Sequence, residues 1–246
     1  MSAFEDQVES DVLAAATKLA IATPDLAKGL GKSYEAWLYL RIAAGIDGSV
    51  TACDHQGNPT SILILRGGPG YMATAQSTKA NAAGFFSVAN YSGSLELHSS
   101  LRHRGTSEAS HEIDISLNRA EECWTVRLGG GGPYPGPPVI GLELKHYGSH
   151  TKLDKNFARA LLGVAMDLNP WFGIRTISAR GPGKALAART LPVRGRYGLV
   201  TTASLSPETA RFLKTYAISA YPDFSPQSRR RVAGLIRRIQ NLIDNL

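Results

Sequence analysis

The chain has 246 residues, and 27 Lys and Arg stand against 20 Asp and Glu, a net charge of +7. Hydrophobic residues make up 43% and charged residues 19%, a globular balance that excludes wholesale disorder and suits one large domain. Two cysteines, Cys53 and Cys123, are too few for a disulfide scaffold or a four-cysteine zinc site. They leave one disulfide, or two free thiols in a reducing cytosol. The opening MSAFEDQVESDV is acidic where a signal peptide is basic, and no apolar run reaches the length of a membrane span. A cytoplasmic protein with no membrane partner is expected.

In chain order, residues 4–22 carry Phe4, Val8, Val12 and Leu19 near helical spacing, and Pro24, Gly29 and Gly31 end that helix. Ser33 is a candidate N-cap for a second helix, YEAWLYLRIAAGI, which stops near residues 45–48. SILILR (61–66) reads as a short strand closed by Gly67, Gly68 and Pro69, residues 70–90 are ambiguous, and SLELHSSL (94–101) reads as a strand. HEIDISL (111–117) alternates, with Ile113, Ile115 and Leu117 on one side and Glu112, Asp114 and Ser116 on the other. CWTVRL (123–128) and VIGLELKHY (139–147) read as strands around the loop GGGGPYPGPP. KLDKNFARALLGVAMDL (152–168) is an amphipathic helix, IRTISA (174–179) and LVTTASL (199–205) are strand candidates, and two helices opening with Ser206-Pro207 and Ser225-Pro226 close the chain. The class is α/β: a mixed central sheet flanked by helices, over residues 1–204, with a basic helical extension over 205–246 packed on the same domain.

The charge is unevenly spread. Residues 1–50 hold 4 basic and 7 acidic side chains, whereas residues 151–246 hold 16 basic and 5 acidic. A basic second half points to a polyanionic partner, nucleic acid before membrane. The candidate contacts are Lys152, Lys155 and Arg159 along one helix, and Arg175, Arg180, Lys184, Arg189, Arg194 and Arg196 in a glycine-rich stretch without acids. The last helix carries Arg229, Arg230, Arg231, Arg237 and Arg238 beside an apolar stripe of Val232, Leu235, Ile239 and Leu242. That pattern packs the stripe on the body or on a second subunit and turns the arginines outward.

Chemistry concentrates in Leu142-Glu143-Leu144-Lys145. On a strand Glu143 and Lys145 share one face and the leucines the other. A carboxylate and an ammonium in so apolar a strand are costly without a task. Asp114 lies in another apolar strand, 29 residues upstream, and two hard oxygen ligands brought together make a Mg²⁺ or Mn²⁺ site. His146 and His150 flank this position, whereas His98, His103 and His111 lack zinc-site spacing. Gly31-Lys32-Ser33 ends like a P-loop, but Leu26 stands where its first glycine belongs and no strand precedes it.

Glu35 on a helix, Asp114 on a strand, Glu143-Leu144-Lys145 on the next and a helix over 152–168 resemble the PD-(D/E)xK nuclease superfamily, whose fold many restriction and repair nucleases share. The resemblance spans residues 33–168, with Ile113 where the motif has proline. It implies a restriction-endonuclease-like fold and Mg²⁺- or Mn²⁺-dependent hydrolysis of DNA, double-stranded before single-stranded, to 5′-phosphate and 3′-hydroxyl ends. It also implies a homodimer, and a place in bacterial restriction or antiviral defence. Asp114, Glu143 and the carbonyl of Leu144 would hold the metal, Lys145 would orient the attacking water, and Glu35 would complete the shell, with Glu112 as a further ligand. Two other readings stand beside this one. The first is a non-catalytic nucleic-acid-binding or assembly subunit that keeps the fold. The second is an effector nuclease switched on by a protein partner or a small-molecule signal.

Overall fold

The computed structural model describes residues 3–24, 30–77, 82–90, 93–147, 151–172 and 196–246. Within them the elements run α1 (Ala3–Lys18), α2 (Leu30–Gly45), β1 (Ser49–Cys53), β2 (Phe85–Asn90), β3 (Gly93–Arg104) and β4 (Ser110–Arg119). They continue as α3 (Ala120–Leu128), β5 (Tyr134–Pro135), β6 (Ile140–Lys145), α4 (Lys155–Leu168), β7 (Arg196–Thr201), α5 (Pro207–Thr215), β8 (Ser219–Tyr221) and α6 (Arg229–Ile243). The eight strands form one sheet in the order β1-β2-β3-β4-β6-β7-β8, with β5 beside β3. From β1 to β6 the main path is antiparallel, and β6, β7 and β8 are parallel. Parallel neighbours need crossover connections. Helix α4 lies in the connection from β6 to β7 and α5 in that from β7 to β8. The fold is therefore α/β with a mixed sheet, and it ends in a helix.

Helix α2 explains the thickness of the molecule. Tyr34, Trp37, Leu38, Tyr39, Leu40 and Ile42 are all completely buried, as a helix apolar on nearly every side must be. It packs against α1, α6, β3 and β4. Its aromatic tips keep polar partners, because a buried hydroxyl or indole N–H without one is costly. Tyr39 donates to the Leu97 carbonyl at 2.9 Å, Tyr34 to the Phe224 carbonyl at 2.9 Å, and Trp37 to Asp11 at 3.0 Å. Val232, Leu235, Ile239 and Ile243 of α6 join this core, and Arg229, Arg230, Arg231, Arg237 and Arg238 are exposed. On the other sheet face, α4 and α5 cover Ile113, Tyr197 and Leu199.

Several local expectations are corrected. Residues 123–128 are not a strand but most of α3, whose buried Cys123 and Arg127 are four residues apart on one helical face. SILILR forms no strand: isolated bonds tie it down, Ala22 N–H to the Ser61 carbonyl and Gly84 N–H to the Ile64 carbonyl. Helix α2 begins before Ser33, and α6 begins after Ser228 rather than at Ser225, whereas Ser206 does cap α5 by accepting from the Thr209 N–H. Helix α4 begins at Lys155 with Asp154 as its N-cap, so Lys152 precedes it in extended chain bridged to Ser204. Cys53 and Cys123 are both free and buried. IRTISA and residues 175–194 lie outside the described residues.

The alternation expected of β4 also breaks. Ile115 and Leu117 pack with α2, but Ile113 packs with α4 on the opposite face. The same reversal occurs on β3, where Leu95 and Leu97 join the α2 core and Leu101 packs with Met72, Cys123 and Tyr134. Register explains it: Ser99 pairs with Ile115 and Leu101 with Ile113, while Ser100, at φ +45°, and Asp114 form no ladder pair between them. Irregularities of this kind re-aim side chains. Here one sets Ser100 and Asp114 apart from the regular pleat.

Candidate active site

The site forms where β4 and β6 part. Their ladder ends at Ile115 opposite Leu142, and continuing that register brings Asp114 opposite Glu143. Beyond this point a side chain takes the place of the strand partner: the Leu144 N–H donates to the Asp114 carboxylate at 2.6 Å. Leu142 and Leu144 face the α2 core, as the strand pattern predicts. Glu143 and Lys145 point the other way and pair at 2.7 Å, with the Lys145 ammonium 5.7 Å from the Phe157 ring of α4. From α2, Glu35 is held by Lys32 at 2.5 Å, and Ser100 donates to it at 3.4 Å.

The electrostatics show that these groups sense one another. Asp114 is only 5% exposed. Burial lifts its pKa well above the ordinary carboxyl range, and the Glu143 and Glu35 charges lift it further, against Lys145 and the Leu144 N–H. Burial also raises Glu143, with Glu112 and Glu35 adding to it and Lys145 opposing. Burial works against the Lys145 ammonium, but Glu143 and Asp114 outweigh it and raise its pKa. Glu112 adds a carboxyl oxygen that is buried and without a hydrogen-bond partner. Four carboxyl groups thus meet two ammoniums, an arrangement short of positive charge. Glu35, Asp114 and Glu143 are not drawn into one tight three-carboxylate shell.

Among the described residues, the one trio of His, Cys, Asp or Glu with ligand atoms all within 4.8 Å is Glu96, His98 and Cys123. His98 lacks zinc-site spacing to the other histidines. The overlooked signal is Glu96-Leu97-His98, which puts both polar side chains on one face of β3. Arg127 forks onto Glu96 at 2.8 and 2.5 Å, and His98 Nε2 lies 2.8 Å from Glu96. Burial would raise the Glu96 pKa, but His98 and Arg127 outweigh it and lower it. Burial lowers that of His98 and raises that of the Cys123 thiol. The trio is within reach of a soft metal ion, yet Glu96 is already neutralised by Arg127.

The remaining candidates fall on different sides of the molecule. Lys155 and Arg159 are exposed four residues apart on one face of α4, whereas Phe157, two residues from each, turns the other way toward Lys145, and Lys152 is exposed just before the helix. Arg196 is exposed too, but it pairs in register with Ile140, whereas Lys145 pairs with Thr201. Five strand residues, about 16 Å at the usual rise, separate it from the site. Arg175, Arg180, Lys184, Arg189, Arg194 and His150 lie outside the described residues. The His146 ring packs on Phe4 at 4.9 Å and Tyr34 at 5.6 Å, a packing role. His103 is completely buried, which pushes its pKa down to about 3. His111 binds Asp167. No helix among the described residues is long and apolar enough to cross a membrane. No protein-family model, curated protein or solved structure matches the chain.

Proposed function

We propose that the chain is a metal-dependent DNA endonuclease of the PD-(D/E)xK kind. The observation that carries this reading is the meeting of Asp114, Glu143 and Lys145 at the fork of β4 and β6, with Glu35 of α2 facing them. The order of Glu35 on α2, Asp114 on β4, Glu143 and Lys145 on β6 and then helix α4 also supports the reading.

Asp114, Glu143 and the Leu144 carbonyl would hold a Mg²⁺ or Mn²⁺ ion. Bound there, such an ion polarises a phosphate and lowers the pKa of water. The chain does the rest. The Leu144 N–H fixes one Asp114 oxygen and leaves the other free to face the site. Lys145, kept cationic by its carboxylate neighbours, opposes the negative charge that develops on the phosphate. Glu35 faces the same charge cluster from α2, anchored by Lys32 and Ser100. The basic residues exposed on α4 supply nucleic-acid contacts.

The test is nicking of supercoiled plasmid with Mg²⁺ or Mn²⁺ by the full chain, beside Asp114→Ala and Lys145→Ala. Wild type should cleave, and each variant should lose about two orders of magnitude or more. Equal behaviour of all three proteins would overturn the assignment. Tight DNA binding with no cleavage under any activating condition would leave the non-catalytic binding or assembly subunit as the reading.

A further inference from the structure

Beside Glu35, a cleft of about 370 Å³ opens between α2 and the 62–67 segment. Its walls are mostly apolar, built by residues such as Ala22, Ile62, Leu63 and Leu65; Lys32, Arg66, Ser100 and the Glu35 carboxylate contribute polar groups, so its charged lining is two cations against one carboxylate. An apolar cavity with a few convergent polar groups is the usual form of a small-ligand subsite. Lys32 reaches Glu35 and Ser100, at 2.5 and 3.3 Å, so one ammonium links the cleft to the candidate active site.

Arg66 is the telling residue. Its guanidinium donates to the neutral Tyr71 carbonyl at 2.8 Å, while its Nε is buried with no hydrogen-bond partner. Among the described residues no carboxylate lies within ion-pair distance of it. Burial pushes its pKa down to about 10. Arg66 is half-buried, with its Nε fully out of solvent; a partly desolvated cation without a counter-ion carries a cost that an anion bringing its own charge relieves.

We infer that this cleft is a nucleotide subsite, in which Arg66 and Lys32 hold a phosphate and the apolar walls take the attached sugar and base. The inference deepens the nuclease reading, on which it rests for its biological ligand: a strand crossing the Asp114–Glu143 centre would lay an adjoining nucleotide here. No aromatic side chain lines the cleft, so the base is held by contact with aliphatic groups rather than by stacking. Exposed Ile62 stands at its mouth.

Calorimetric titration of the full chain in EDTA tests the subsite without any cleavage. Thymidine 5′-monophosphate is expected to bind, thymidine without its phosphate not measurably, and inorganic phosphate at least tenfold more weakly than the nucleotide. Arg66→Met and Lys32→Met should each weaken nucleotide binding about tenfold or more, and Arg104→Met, outside the cleft, should not. Ile62→Asp alters an exposed residue, so the fold is kept, and its carboxylate should repel the phosphate to the same degree. Unchanged nucleotide affinity in Arg66→Met or Ile62→Asp, or equal affinity for thymidine and its phosphate, would overturn the subsite. Because no metal or cleavage enters, a plasmid that stays uncut would bear on the nuclease reading alone.

Discussion

The Leu144 backbone N–H donates to the Asp114 carboxylate just past the last ladder pair of β4 and β6, so a carboxylate side chain closes the gap the strands leave. That bond holds Asp114 in place, while burial and the Glu143 and Glu35 charges oppose its ionisation. Structure and charge therefore pull in different directions at one residue. A cation bound there, as proposed, would reconcile them.

The first prediction follows from that conflict. An unfolded aspartate titrates near 3.9, and the folded group keeps its proton to higher pH. Stability linked to a raised pKa is fully present below about pH 4 and is lost as pH rises through the folded value. Asp114→Asn keeps an oxygen for the Leu144 N–H and carries no charge. Thermal melts in EDTA should find Asp114→Asn more stable than wild type at pH 8, with the gap closing toward pH 4. Added Mg²⁺ should raise the wild-type melting temperature and leave the variant unmoved. A constant gap across pH would disprove the linkage.

Much of this was legible in the sequence, for reasons that differ from residue to residue. Leu142 and Leu144 declare the buried face of β6 and so place Glu143 and Lys145 together, because strand geometry is local. Helix α4 is equally plain from its apolar stripe. The reversal at Ser100 and Asp114 was not legible, since a break in register depends on both strands at once. Nor was α3, where Cys123, Thr125 and Val126 mimic a strand, although Glu121 and Glu122 in the first turn and Arg127 in the last suit the helix dipole. Lys32 could be dismissed as a failed P-loop. Its role emerges only when α2 packs across β3 and brings it to Glu35 and Ser100.

The buried network on the other side of β3 should matter for stability rather than catalysis. Arg127 is 2% exposed and Glu96 5%. Removing one partner strands the other charge, which typically costs 3–5 kcal/mol, roughly. Arg127→Met should lower unfolding free energy by about that amount in urea titrations. Glu96→Leu combined with Arg127→Met should cost less than Arg127→Met alone, since no charge is then left unpaired. A double variant weaker than the single one would show that the network contributes more than mutual neutralisation.

Asp167 ties α4 to the turn between β3 and β4. It accepts from His111 at 2.6 Å, the Ser107 hydroxyl at 2.7 Å and the Ser107 N–H at 2.9 Å, and these bonds, His111 first, hold its pKa well below the usual carboxylate value. A depressed pKa contributes stability above the unfolded value, about 3.9, that is lost as pH falls through the folded one. Melting curves of wild type should therefore drop below pH 4 by an increment that Asp167→Asn lacks. Parallel curves for the two proteins would contradict this.

The basic surface can be divided by where it sits relative to Lys145. Lys155 and Arg159 are exposed on the outer face of α4, whose Phe157 ring lies 5.7 Å from that ammonium, whereas Arg196 begins β7 at the opposite end of the strand. Each lysine or arginine on a DNA phosphate adds about one to the slope of log affinity against log salt. Lys155→Ala with Arg159→Ala should thus lower the slope for DNA binding by about two and weaken binding to all sequences alike. Arg196→Ala should leave the slope unchanged, because DNA seated on the α4 side of the centre does not reach the far strand end. A slope lost with Arg196 and kept without Lys155 and Arg159 would place the nucleic-acid path on the other edge of the sheet.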